Sequence, residues 1–138
     1  MKESCVILAD KHPDMLEGIR GILEAEFDHV VMVAERRSLK NAVKKLLPDV
    51  VVVELSLPEA AGENIARLLK VGNPDLKIIA LSFCDDADTV KTVIDAGAIG
   101  FVLKRTAGED LLPAVKSALA GRVFVSPSIG IKVTLNVA

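Results

Sequence analysis

The chain has 138 residues, 51% of them hydrophobic and 26% charged, with a net charge of −2. That suffices for one domain with its own core, yet no apolar run approaches the ~18–20 residues that cross a bilayer. Acids and bases are mixed along the chain, which argues against a nucleic-acid-coating surface while leaving room for a small basic patch; four Phe with no Trp or Tyr argue against a stacking platform for bases or sugars.

The N-terminus, MKESCVILADKHPD, meets charge too early for a secretion signal, so a cytoplasmic location is expected, with no membrane partner. CVILA (5–9) reads as a short buried strand. Met15, Leu16, Ile19, Ile22 and Leu23 then share one helix face, opened by Pro13 in the first turn. VVMVA (30–34) is the second strand. Leu39, Ala42, Val43 and Leu46 form a helix stopped before Pro48. VVVV (50–53) runs into Glu54, and the chain turns through Ser56, Pro58 and Gly62. Ala61, Ile65, Leu68 and Leu69 form a third helix ending near Gly72, followed by the strand KIIALS (77–82). Val90, Val93 and Ile94 form a fourth helix ending at Gly97, and GFVL (100–103) a fifth strand. Leu111, Leu112, Val115, Ala118 and Leu119 form the fifth helix, ending at Gly121. Thr106-x-x-Glu109 has the pattern of a capping box at its start, and Pro113 inside it predicts a kink or a late start.

Strands alternating with helices predict an α/β fold: a doubly wound, five-stranded parallel sheet with helices on both faces, over residues 1–125. The continuous apolar runs fit strands covered on both sides. Residues 126–138 read as a C-terminal tail or linker stub, with no room for a second helix-turn-helix unit. Cys5 at the start of the first strand and Cys84 past the end of the fourth lie roughly 15 Å or more apart, at ~3.3 Å per residue, too far for a disulfide. Cys5 reads as a small buried hydrophobe, and Cys84 as a loop residue near the candidate site.

In such a sheet the working crevice lies at the carboxyl ends of the strands. Those ends deliver Asp10 and Lys11, then Glu54, Ser82 and Lys104. His12, before Pro13, reads as a loop or capping residue, since no second His or Cys lies at metal spacing. His29 is expected at the surface, and Arg36-Arg37 and Lys44-Lys45 as solvated faces. Asp85, Asp86 and Asp88 suit the N-terminus of the fourth helix. No G-x-S-x-G elbow surrounds Ser82, and no Gly-rich nucleotide loop occurs.

Over residues 4–125 these segments resemble the receiver domain of bacterial response regulators, the CheY-like superfamily. VILADKHPDMLEGIRGIL is similar to the family's first strand and helix, which normally carry two adjacent acids. PDVVVVELSLPEAAG resembles the phosphoacceptor segment, normally an Asp before L-x-x-P-x-x-x-G. IIALSFCDD resembles the switch Ser/Thr segment, and AGAIGFVLK the segment ending in the family's lysine. ADxHP, AGAIGFVLK and GRVFVSP are most similar to the branch that carries a C-terminal helix-turn-helix DNA-binding domain.

The resemblance puts Glu54 at the phosphoacceptor position, Asp10 and Lys11 at the acidic pair, Ser82 and Phe101 at the switch positions, and Lys104 at the conserved-lysine position. In the family an aspartate takes a phosphoryl group while Mg²⁺ is held by acids. Here a glutamate and a lysine replace the two residues that do most of this. With Asp10 and Glu54 facing Lys11 and Lys104, the crevice is formally neutral. A unit positive charge ~4 Å from a dication costs on the order of 8 kcal/mol at an effective dielectric of ~20, and a quarter of that weakens binding roughly thirtyfold. The extra methylene of Glu54 displaces the carboxylate by ~1.5 Å, an error near-attack geometry tolerates poorly. Mg²⁺ binding is therefore expected to be lost or weak, with no other cofactor.

For Glu54 itself, several readings stay open: a structural ion pair with Lys11, Lys104 or both; a partial mimic of a phosphorylated aspartate that reaches Ser82 and Lys104 and holds Ser82 and Phe101; or residual phosphorylation or an unforeseen ligand. The leading expectation is a non-enzymatic, phosphorylation-independent receiver of a two-component response regulator. The resemblance implies that it signals by protein contact or dimerisation through the fourth helix, fifth strand and fifth helix, with a sensor histidine kinase as a candidate partner. It would regulate transcription if an effector domain follows, while the chain alone is not expected to bind DNA. A conventional phosphorylation-dependent receiver, or a small-molecule-binding α/β domain using the polar crevice, are the alternatives.

Overall fold

The computed structural model describes residues 4–55 and 63–129. Ser56, Pro58, Ala61 and Gly62 of the turn after Glu54, and the tail from 130 to 138, lie outside them, as do the side chains of Met15 and Leu16. The elements follow in order: β1 (Cys5–Ala9), α1 (Pro13–Glu24), β2 (His29–Val33), α2 (Arg36–Leu46), β3 (Val50–Glu54), α3 (Glu63–Gly72), β4 (Lys77–Ser82), α4 (Ala87–Asp95), β5 (Gly100–Leu103), α5 (Ala107–Leu119) and β6 (Phe124–Val125). All strand pairings are parallel, in the order β2-β1-β3-β4-β5-β6.

The valine run of β3 is explained by two cores on opposite sides of the sheet. Alternate residues point to opposite faces. Ile7, Val51, Val53, Ile78 and Phe101 meet Leu39 and Val43 of α2, Ile65 and Leu69 of α3, and Val90 and Val93 of α4. Val6, Leu8, Val50, Val52, Ile79 and Val102 meet Ile19 and Leu23 of α1 and Leu111, Val115 and Ala118 of α5. Each fully buried Leu or Ile contributes about 1.5–3 kcal/mol in transfer free energy, so both faces demand apolar residues at every strand position. Gly97 (φ +120°) and Gly121 (φ +76°) turn the chain after α4 and α5 in conformations that strain any residue with a Cβ.

Three local features differ from expectation. A sixth strand, β6, pairs with β5 at the sheet edge; its two residues are too few to show a period. The capping box does not form. Lys104–Thr106 make a 3-10 turn, which holds Thr106 at φ −115°, ψ 14°, away from the extended backbone an N-cap needs. Its hydroxyl instead donates to Asp110, one turn on. Helix α5 then starts directly at Ala107 and runs through Pro113. Past β6, Ser126 is fully buried, its backbone N–H donating to Phe101 O at 3.0 Å and its hydroxyl accepting from Leu103 N–H at 3.0 Å. Ile129 packs into the core on the α2–α4 side. Ser126 and Ile129 thus pack against the sheet and its helices.

Candidate functional site

Strand register assembles the site. Ala9 pairs with Val53, so Asp10 and Glu54 emerge side by side from β1 and β3. Ser82 pairs with Leu103, so Lys104 follows beside the end of β4. The strand order reverses direction about β1 and β3, where a doubly wound sheet opens its crevice. Asp10, Glu54, Ser82 and Lys104 are all buried, at 0, 1, 6 and 4% exposure. Two acids and a lysine at such depth must satisfy one another.

Lys104 Nζ lies 2.6 Å from Asp10 Oδ2, and both side chains are wholly buried. The approach is an ion pair rather than a directed hydrogen bond. The other carboxylate oxygen is taken by His12, whose backbone N–H donates to Asp10 Oδ1 at 2.9 Å and whose Nδ1 lies 3.1 Å from the same atom. The ring also stands 3.4 Å from Lys104 Nζ. Asp10 thereby closes an Asx turn over two residues, and both of its oxygens are engaged.

His12 was not recognisable as a site residue by metal spacing. The signal that finds it is turn chemistry: an Asp two residues ahead of an X-Pro step favours capture of its own backbone. It does occupy the N-cap position of α1, but its side chain makes no capping hydrogen bond.

Lys11 corrects an expectation. Its side chain is exposed, at the bend between β1 and α1. Among the described residues, the buried formal charges at the strand ends are therefore Asp10, Glu54 and Lys104, a balance of −1 rather than zero. Repulsion between Lys11 and a dication is correspondingly weaker than a contact at ~4 Å implies.

Ser82 Oγ accepts a hydrogen bond from Cys84 N–H at 3.0 Å, which fixes the start of the loop after β4. Phe83, next in that loop, places its ring over Lys104. Phe101 is fully buried in the α2–α4 core. Asp86 caps α4 as its position predicts, accepting from Thr89 N–H at 3.2 Å and the Thr89 hydroxyl at 3.0 Å. Arg105, after β5, reaches Asp85, after β4, at 3.4 Å. Cys5 is buried and Cys84 exposed, and no disulfide joins them. His29 is exposed at the start of β2.

A five-helix, parallel-sheet domain with an acid, a hydroxyl and a lysine converging at its carboxyl edge defines the receiver class, and the comparisons place the chain within it. Residues 6–116 match the family model of the response regulator receiver domain. The chain belongs to that family. It is 33% identical over 127 residues to the nitrate/nitrite response regulator protein homolog of Haemophilus influenzae, covering 90% of this chain and 61% of that protein. It superposes on the non-phosphorylated receiver domain of the stress response regulator RcsB from Escherichia coli with a TM-score of 0.80 and 31% identity, over 90% of this chain and 98% of that one. Against RcsB in a structure of two dimers bound to two parallel DNAs, the TM-score is 0.84 at 30% identity, covering 96% of this chain and 69% of that one. The likeness to the DNA-binding branch of response regulators is thus borne out. The chain spans 53, 61 and 62% of the length of three such curated relatives. Among the described residues, no helix is long and apolar enough to cross a membrane.

Proposed function

We propose that this receiver domain signals without taking a phosphoryl group. The observation that carries the reading is the closed Asp10–Lys104 pair, with His12 on the second carboxylate oxygen. The family's Mg²⁺ is held by acidic oxygens, and the donor set here fits that ion poorly. Mg²⁺ prefers carboxylates in near-octahedral geometry. Position 11 offers an exposed ammonium in place of a carboxylate, and Asp10 is already neutralised by Lys104. Among the described residues, no group of three or more His, Cys, Asp or Glu is placed to hold a metal. Glu54 adds misplacement of the attacking oxygen to the loss of charge stabilisation, and phosphoryl transfer depends on both.

A second reading, that Glu54 stands in for a phosphorylated aspartate, is favoured by the complete burial of Phe101. It describes the conformation the domain holds; the first describes the chemistry it lacks, and the two are compatible. In either case the output is a protein contact, through α4, β5 and α5 in self-association or with a kinase-type partner in the cytoplasm. Transcriptional control would follow in a longer protein carrying a DNA-binding domain, as in the relatives.

Incubation with acetyl phosphate and Mg²⁺ followed by intact-mass measurement tests this. The expected spectrum shows the unmodified chain alone; a gain of one phosphoryl group that is lost in Glu54→Gln overturns the reading.

A further inference from the structure

The charges that are mixed along the sequence as a whole separate in the fold. Helix α2 carries Arg36, Arg37, Lys40, Lys44 and Lys45 and no acid, and α3 adds Arg67 and Lys70 against Glu63. These two helices therefore hold 7 of the 17 basic residues and 1 of the 19 acids, a net +6 that leaves −8 for the rest of the chain. Both pack on the same side of the sheet, so β3, which divides them in sequence, does not divide them in space. A surface read as mixed along the chain is strongly one-signed here.

A groove of about 560 Å³ runs between α2 and α3. Arg37, Lys40 and Lys44 line its α2 side at i, i+3 and i+7, the spacing of a single helix face. Val43, Leu68 and Leu69 supply its apolar surface. The three cations are exposed, Leu68 is 39% exposed, and no Asp or Glu is among the described lining residues. The apolar surface continues over neighbouring Val71, 78% exposed. None of this belongs to the crevice at the strand ends.

We infer that the α2–α3 groove is a docking site for an acidic amphipathic segment of a partner protein, one that presents carboxylates to Arg37, Lys40 and Lys44 and aliphatic side chains to Leu68 and Leu69. The cationic wall supplies attraction and register, and the apolar strip supplies the surface removed from water. Nucleic acid fits the charge but not the rest: among the described lining residues no aromatic ring offers stacking, and an apolar strip gains nothing from phosphates. An anionic bilayer is too flat to reach into a concave site.

Fluorescence anisotropy of a fluorescein-labelled synthetic helix built of Glu and Leu in amphipathic spacing, titrated with the full 138-residue chain, tests the site. The same helix with Lys in place of Glu, a random-sequence DNA duplex and phosphatidylglycerol vesicles serve as competitors of other chemistry. Saturable binding of the acidic helix is expected, weakened about tenfold or more by the pair Lys40→Glu and Lys44→Glu and severalfold by Leu68→Ser. All three positions are exposed, and circular dichroism confirms that the variants fold. Binding of the acidic helix that is indifferent to Lys40 and Lys44, or that responds to them but not to Leu68, overturns the proposal. So does tighter binding of DNA or of vesicles through the same lysines.

Discussion

Phe83 lays its ring 4.7 Å from Lys104 Nζ, so the ammonium that neutralises Asp10 is covered from solvent by an aromatic face. The ring itself is 53% exposed, a position that apolar burial alone does not explain. Cation–π attraction is worth about 0.5–2 kcal/mol depending on desolvation, and Phe83 also keeps water from the ion pair beneath it. Phe83→Ala is therefore expected to lower stability by about 1–2 kcal/mol, read by urea unfolding. Phe83→Leu, which keeps the cover but not the ring quadrupole, should recover part of that loss. Equal stability of all three chains would show that the ring is a bystander.

The Asp10–Lys104 pair makes a sharper energetic prediction. Removing one partner of a buried pair leaves an uncompensated charge and costs about 3–5 kcal/mol. Lys104→Met should destabilise the fold on that scale and Asp10→Asn by less, because buried Glu54 still balances Lys104, and the double substitution should cost clearly less than the two added together. Strict additivity in the double-mutant cycle would mean that the two charges are solvated separately.

At the opposite end of the sheet, Asp28 ties the start of β1 to β2. Its carboxyl is held below the usual carboxylate range, first by the backbone N–H of Ser4 at 2.9 Å and then by the Ser4 hydroxyl at 3.1 Å. A carboxyl with a lowered folded-state pKa contributes stability above its unfolded value, and that contribution fades as pH falls through the folded one. Asp28→Asn should therefore be less stable than the native chain near neutral pH, with the difference closing in acid. Chemical unfolding at the two pH values measures it; a difference that widens in acid would contradict the assignment.

How far the fold could be read beforehand follows from physics at particular residues. The strands of residues 5–9, 50–53 and 77–82 were legible because both sheet faces are covered, so that no polar residue interrupts them. Strand β6 was not, since two residues carry no period, and its anchoring through Ser126 depends on a hydrogen bond to Leu103 twenty-three residues away. At the site, Asp10, Glu54, Ser82 and Lys104 could be placed from strand ends alone. Lys11 could not: a bend, unlike a strand, does not dictate where its side chain points. The concentration of positive charge on one side of the sheet is not legible in the sequence for a related reason. Mixing along a chain says nothing about mixing on a surface until the layer of each helix is known.

Asp10 is already committed to Lys104, and position 11 offers no carboxylate to a divalent ion. Titration of Mg²⁺ into isotopically labelled protein, followed through the amide resonances of Asp10, Glu54 and Lys104, tests it most directly. No saturable shift is expected in the native chain, whereas Lys11→Asp with Glu54→Asp should restore one. Saturable, Mg²⁺-dependent shifts at Asp10 and Glu54 in the unsubstituted protein would contradict the account.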